Sequence, residues 1–198
     1  MEAERSVPYL VMDCANGWLD GVRHLPSPNF DPRPAPCTID LVVVHGISLP
    51  PGQYGGGWID RLFTNTLDPQ LHPFFSEIQG LRVSAHVLIE RNGDVTQYVS
   101  FNDRAWHAGQ SCFEGRVQCN DFSIGIELEG CDTEPYQLIQ YTQLARVIAA
   151  VQRCHPHLTA ARITGHSDIA PGRKTDPGPN FDWGYLRQLL MPTPSADA

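Results

Sequence analysis

The chain has 198 residues, 41% of them hydrophobic, and a formal net charge of −8, enough apolar content to bury one core without help from disulfides or partner subunits. Its acidic residues are dispersed and its Lys and Arg form no cluster, which excludes the electrostatic footprint of a nucleic-acid or anionic-membrane binder. No window approaches the ~18 apolar residues of a membrane span, and the first residues lack the basic start and apolar run of a secretory signal, so a cytoplasmic, single-domain protein is expected.

Residues 1–38 are rich in Pro, Asn and Asp without a sustained period, and read as an irregular surface arm anchored by Trp18, Leu25 and Phe30. Residues 39–44 form a short β-branched apolar run, the pattern of a strand buried on both faces, which ends at His45-Gly46. The carboxyl edge of an open α/β sheet is where ligands bind, which gives His45 a meaning beyond its residue type. A short helix is expected over residues 58–63, followed by loop around His72-Pro73-Phe74. Alternation over residues 82–89, the Asn92-Gly93 pair and residues 94–99 predict a tight β-hairpin, with His86 on its more polar face as a half-buried hydrogen-bonding residue. Trp106 and His107 sit among small residues, as at a sugar- or peptide-contacting edge, although packing alone explains a Trp equally well.

Residues 123–129 alternate Ile124, Ile126 and Leu128 with Gly125, Glu127 and Glu129, so Glu127 points away from the main apolar side while Gly125 leaves room beside it. The principal amphipathic helix is predicted over residues 136–154 with its cap at Asp132 or Thr133. His155 and His157 read as solvated connectors, and Asp182 caps a last helix to about residue 190. The six cysteines form no Cys-x-x-Cys pair and are expected to stay reduced as small apolar side chains.

Residues 164–179 combine His166, Lys174 and Asp176 with three Pro and three Gly, which argues against helix and for a stiff, shaped loop. Loops carry charge whether or not they carry function, so the weight comes from elsewhere in the chain. A hydrolytic zinc site needs three protein ligands and one open position, and His45, His166 and Asp176 can supply the three. Glu127 is the best-placed proton acceptor, and Lys174 would face the oxyanion of a tetrahedral intermediate. By spacing alone this set is moderately specific, since no contiguous motif encodes it.

Several stretches resemble the zinc-dependent N-acetylmuramoyl-L-alanine amidases of the amidase-2 class. They are Val42-Val43-Val44-His45, Ile47-Ser48-Leu49-Pro50-Pro51-Gly52, Arg82-Val83-Ser84-Ala85-His86, Arg104-Ala105-Trp106-His107-Ala108-Gly109, residues 119–130 and the 164–179 loop, in family order from about residue 17 to 190. Within that class the match is to the cytoplasmic branch that acts on 1,6-anhydro-muramyl peptides in cell-wall recycling. The resemblance implies Zn²⁺ on His45, His166 and Asp176, Glu127 as proton acceptor and Lys174 as transition-state stabiliser. It further implies that Arg82, Ala105 and Trp106 line the groove for an anhydro-muropeptide. The acidic balance of the chain gives no general attraction for an anionic peptide, so local contacts are expected from Arg82, with Arg116 as a further candidate. The implied fold is α/β, a central mixed β-sheet flanked by helices in the peptidoglycan recognition protein-like manner, one domain over residues 1–198 with 1–16 and 191–198 peripheral. Gly46 stands where Asn is expected, Gln118 where a basic residue is expected, and Ser167 where Cys is common.

Two rival functions are a zinc-free peptidoglycan-binding module and an exported amidase acting on intact wall. The first should lack a ligand or the base, and all five roles have a residue here. The second should carry a signal or wall-binding repeats. Oligomeric state is not legible in the sequence.

Overall fold

A computed structural model describes residues 9–191; the segment expected to be peripheral at 192–198 lies outside them. Four two-residue strands punctuate the N-terminal arm: β1 (Met12–Asp13), β2 (Trp18–Leu19), β3 (Arg23–His24) and β4 (Phe30–Asp31). The chain then forms β5 (Leu41–Ile47), α1 (Trp58–Phe63), α2 (Pro73–Glu77), β6 (Val87–Ile89) and β7 (Val95–Gln97). Short strands β8 (Arg104–Ala105), β9 (Cys112–Phe113) and β10 (Arg116–Val117) lead into β11 (Ser123–Glu129). The last elements are α3 (Leu138–Cys154), β12 (Ile163–Gly165), α4 (His166–Ile169) and α5 (Trp183–Leu190).

The central sheet has the order β12-β5-β11-β6-β7-β3. β12, β5, β11 and β6 run parallel to one another and β3 runs parallel to β7, whereas β6 and β7 are the antiparallel hairpin turned at Gly93, which takes a positive φ of 89°. This is the expected mixed sheet in a single α/β domain. One face carries Val42, Val44, Val87, Ile89, Ile124, Ile126 and Leu128 against Leu144, Val147, Ile148 and Val151 of α3 and Leu186 of α5. Each such side chain, fully buried, contributes on the order of 1.5–3 kcal/mol.

The opposite face is covered twice, and the gap between the covers is where the site lies. Leu41 and Val43 pack with Ala108, Cys119, Phe122 and Ile169. Further along, Leu49 and Leu88 pack with Ile59, Leu62 and Phe63 of α1 and Phe75 of α2. Strand alternation then puts His45 and Glu127 between these two apolar clusters, directly across from each other in the β5–β11 register.

Several expectations need correction. The arm is anchored chiefly by buried Leu10, Met12 and Leu19; Leu25 packs half-buried against a core cluster as expected, while Phe30 is exposed. Residues 73–77 are helical, because Pro73 occupies the first turn and His72 Nδ1 accepts from the Phe74 N–H. α3 is capped by Gln137 and Gln140 rather than by Asp132 or Thr133. Cys14 and Cys154 form a disulfide, with Cα atoms 5.5 Å apart, against the expectation of six thiols; a separation of 140 residues hides a pairing created when the arm crosses the end of α3. Buried Cys119 does behave as a small apolar side chain. Among the described residues no helix is long and apolar enough to cross a membrane.

Candidate metal centre and active site

His45 lies near the carboxyl end of β5, as expected, with Gly46 and Ile47 continuing the strand, and His166 opens α4, a single helical turn inside the stretch where Pro and Gly argue against helix. The Asp168 carboxylate makes that turn possible by accepting from the Gly165 N–H and the Thr164 hydroxyl at 2.9 and 2.8 Å. Pro171 follows one residue beyond the turn's end. The chain then loops back until the Ser167 N–H donates to the Asp176 carbonyl at 2.9 Å, which sets Asp176 beside His166.

Three ligand atoms converge. His45 Nδ1 lies 2.9 Å from His166 Nδ1, and Asp176 Oδ2 lies 3.2 and 3.0 Å from the two nitrogens. A tetrahedral zinc with ligands at about 2.0–2.1 Å sets its ligand atoms about 3.3 Å apart, close to this spacing. His166 Nε2 is 3.2 Å from the Ala108 carbonyl, which can only accept, so Nε2 carries the ring hydrogen and Nδ1 presents a lone pair. A carboxylate and a bare imidazole nitrogen facing each other need a cation between them. Burial lowers the His45 pKa to about 4. Burial would by itself raise the Asp176 pKa, but the adjacent His166 and His45 rings outweigh it and hold the carboxyl well below its usual range. Two imidazoles beside an ionised carboxylate form a zinc donor set.

Glu127 completes the cleft. Its Oε2 is buried without a hydrogen-bond partner, and burial, reinforced by Asp176 and opposed by Lys174, pushes its pKa well above the usual carboxyl value. Lys174 is exposed on the rim. The cleft, about 270 Å³, has an apolar wall that includes Leu49, Phe63, Phe74 and Leu81.

The expected substrate contacts are less concentrated. Arg82 is exposed and lines a neighbouring cleft that shares Leu62, Ile78 and Leu81 with the metal cleft. Ala105 is fully buried in the α1–α2 cluster. Trp106 is half-buried, its backbone tied to Ser84 in both directions. Arg116 pairs with Asp40 and covers the Phe122 ring, beside a different cleft. His86 is fully buried, more than expected: Nδ1 accepts from the Gly125 N–H and Nε2 faces the Asp103 carbonyl, so it is a structural hydrogen-bonding residue.

Two positioning rings escaped the sequence reading. The Tyr136 hydroxyl donates to the Pro177 carbonyl at 2.9 Å, one residue past Asp176, and occupies the space that Gly46 leaves. The His107 ring fills the space beside Gly125, which is therefore not open to a ligand. The available signal in each case was a glycine within a strand otherwise filled by large or functional side chains.

The family model described as N-acetylmuramoyl-L-alanine amidase matches residues 35–179. The chain is 62% identical over 174 residues to the 1,6-anhydro-N-acetylmuramyl-L-alanine amidase AmpD of Escherichia coli (strain K12), covering 88% of this chain and 94% of that protein. A crystal structure of a selenomethionine AmpD derivative superposes with a TM-score of 0.88 at 56% identity, covering 91% of this chain and 99% of that one. The amidase AmiD of Escherichia coli, in complex with its substrate anhydro-N-acetylmuramic acid-L-Ala-D-γ-Glu-L-Lys, gives a TM-score of 0.57 at 27% identity, over 93% of this chain and 66% of that one. With this likeness running through the segments that carry the metal cluster, the chain belongs to the N-acetylmuramoyl-L-alanine amidase family.

Proposed function

We propose that this protein hydrolyses the amide between the lactyl group of a 1,6-anhydro-N-acetylmuramyl sugar and L-alanine, in the recycling of cell-wall fragments. The observation that carries the reading is the convergence of His45 Nδ1, His166 Nδ1 and Asp176 Oδ2 opposite a buried carboxyl with an unpartnered oxygen. AmpD relatives are named for this bond, and the chain spans nearly all of their length.

His45, His166 and Asp176 hold zinc, which when bound polarises the scissile carbonyl and acidifies water. Glu127 takes the proton of the attacking water on the oxygen that has no partner in the resting cleft. Its burial favours the protonated form, so it holds that proton until the alanine amine leaves and receives it. Lys174 brings its ammonium to the developing oxyanion from the exposed rim, where it can adjust to substrate. The apolar wall excludes water and strengthens both interactions. Arg82 reaches the peptide from the adjoining cleft, whose lining it shares with Leu62, Ile78 and Leu81.

A peptidoglycan-binding module without catalysis has no use for a buried, unpartnered Glu127, whose desolvation costs stability. An amidase acting on intact wall uses the same chemistry and is distinguished by substrate. Zinc-loaded protein should release the peptide from anhydro-muramyl-tripeptide, lose the activity on chelation and regain it with zinc. Turnover by the metal-free protein would refute the zinc assignment, and equal cleavage of intact peptidoglycan would refute the recycling substrate.

A further inference from the structure

His45 has a second ring nitrogen, and it faces away from the metal cluster. Nε2 lies 2.9 Å from His107 Nδ1, and the hydrogen between them can belong to either ring. Its owner decides whether His45 can bind a metal at all, since a neutral imidazole carries one ring hydrogen. Asp176 Oδ2, 3.2 Å from His45 Nδ1, draws that hydrogen towards the metal side, where it would block coordination.

The far end of the network determines the answer. The Cys119 carbonyl can only accept, and Ser123 Oγ is 2.5 Å from it, so the serine hydrogen points there. Towards His107 Nε2, at 3.2 Å, Ser123 Oγ is then the acceptor, and Nε2 carries the His107 ring hydrogen. His107 Nδ1 is left bare and accepts the Nε2–H of His45. His45 Nδ1 is left bare in turn, aimed into the cluster.

His166 reaches the same state through the next residue, because its Nε2–H donates to the Ala108 carbonyl. Two consecutive residues thus set both metal-site imidazoles. Both are clamped, since the His107 and Ala108 N–H groups donate to Asn120 Oδ1 at 3.2 and 2.7 Å. Arg33 in turn donates to the carbonyls of Asn120 and Asp121. The ring's seat requires a glycine on β11, as a Cβ at Gly125 would lie 2.3 Å from His107 Cγ.

We propose that His107 is a positioning residue that locks His45 into its Nδ1-ligating tautomer before any metal arrives, with Ser123 and the Cys119 carbonyl holding the far end of the relay and Ala108 doing the same for His166. Outer partners of this kind set ligand orientation and basicity. The inference rests on the zinc reading of His45, His166 and Asp176.

Two measurements on the full chain test it. In isotope-labelled, metal-free protein, long-range proton–nitrogen correlation should show the His45 hydrogen on Nε2; finding it on Nδ1 overturns the proposal without any mutation. In chelator competition, His107→Leu should weaken zinc binding roughly 10–100-fold, and His107→Asn, whose Oδ1 can stand where Nδ1 stood, should recover most of it. If both variants melt like the unaltered chain and His107→Leu binds zinc within about twofold of it, or His107→Asn binds no tighter than His107→Leu, the role is refuted. Failure of the unaltered chain to bind zinc would sink the metal assignment instead, so the two failures are distinct.

Discussion

Replacing Gly46 with alanine isolates one contact next to the metal ligand His45. Gly46 has no positive φ, so backbone strain is not at issue and only space matters. A Cβ there would lie 2.1 Å from the Tyr136 hydroxyl oxygen, but 3.4 Å from Cζ and 3.5 Å from Pro177 Cα. The clash is with the hydroxyl alone. Tyr136 cannot retreat easily, because its ring also fills the space beside Gly130, where a Cβ would meet Cε1 at 2.3 Å, and stands edge-on to Phe181. The alanine methyl must therefore displace the buried hydroxyl from the Pro177 carbonyl. Leaving that carbonyl unsatisfied costs about 1–3 kcal/mol, overpacking adds about 1–3 kcal/mol, and the stiffer unfolded chain returns about 0.4–1 kcal/mol. A net loss of about 3 kcal/mol lowers Tm by about 6–12 °C in a chain of this size. Tyr136→Phe removes the clashing atom along with its hydrogen bond, so Gly46→Ala made on top of Tyr136→Phe should cost less than about 1 kcal/mol. The assay is thermal and urea unfolding of the four proteins of this cycle. An equal cost of Gly46→Ala in both backgrounds would show that the hydroxyl is not what the glycine accommodates.

Glu127→Gln should separate stability from catalysis. The folded-state pKa of Glu127 is raised by burial, so the folded protein holds this proton longer than the unfolded chain, and stability falls as pH rises above the unfolded value of about 4.3. In metal-free protein the Gln variant should melt together with the unaltered chain near that pH and increasingly above it as pH rises, while zinc-loaded turnover falls roughly 10²-fold or more. A variant less stable than the unaltered chain at pH 8, or one with near-normal kcat, contradicts the assignment. For the Cys14–Cys154 disulfide, thiol titration of denatured, unreduced protein should find four free cysteines. Reduction should cost up to about 5 kcal/mol in the chain-entropy account of a loop closed over 140 residues, with kcat unchanged because the bond lies at the α3 end away from the cleft. Titration of all six thiols would remove the bond.

What the sequence made legible follows the range of the forces involved. β5, β11, the Asn92-Gly93 hairpin, α3 and the Asp182 cap are written in local patterns that a short window contains. The two-residue strands of the arm are not, since β3 exists only because β7 offers it an edge some seventy residues later. The same division runs through the site. His45, Glu127, His166, Lys174 and Asp176, which line one cleft, could be singled out in the sequence because few residue types can do the chemistry proposed for them, whereas His107 and Tyr136 fill space and contact neighbours, which composition does not disclose. Their trace was the glycines. β5 carries Gly46 immediately after the ligand His45, and β11 carries Gly125 two positions before Glu127. Each missing side chain is replaced by a ring from a distant segment, Tyr136 in one case and His107 in the other. Each ring then hydrogen-bonds to the metal site or its border, at the Pro177 carbonyl next to Asp176 and at Nε2 of His45. A glycine inside a central strand, beside a residue with chemistry to perform, weakens the strand for no local gain. Here the gain is non-local: it admits the group that aims the chemistry.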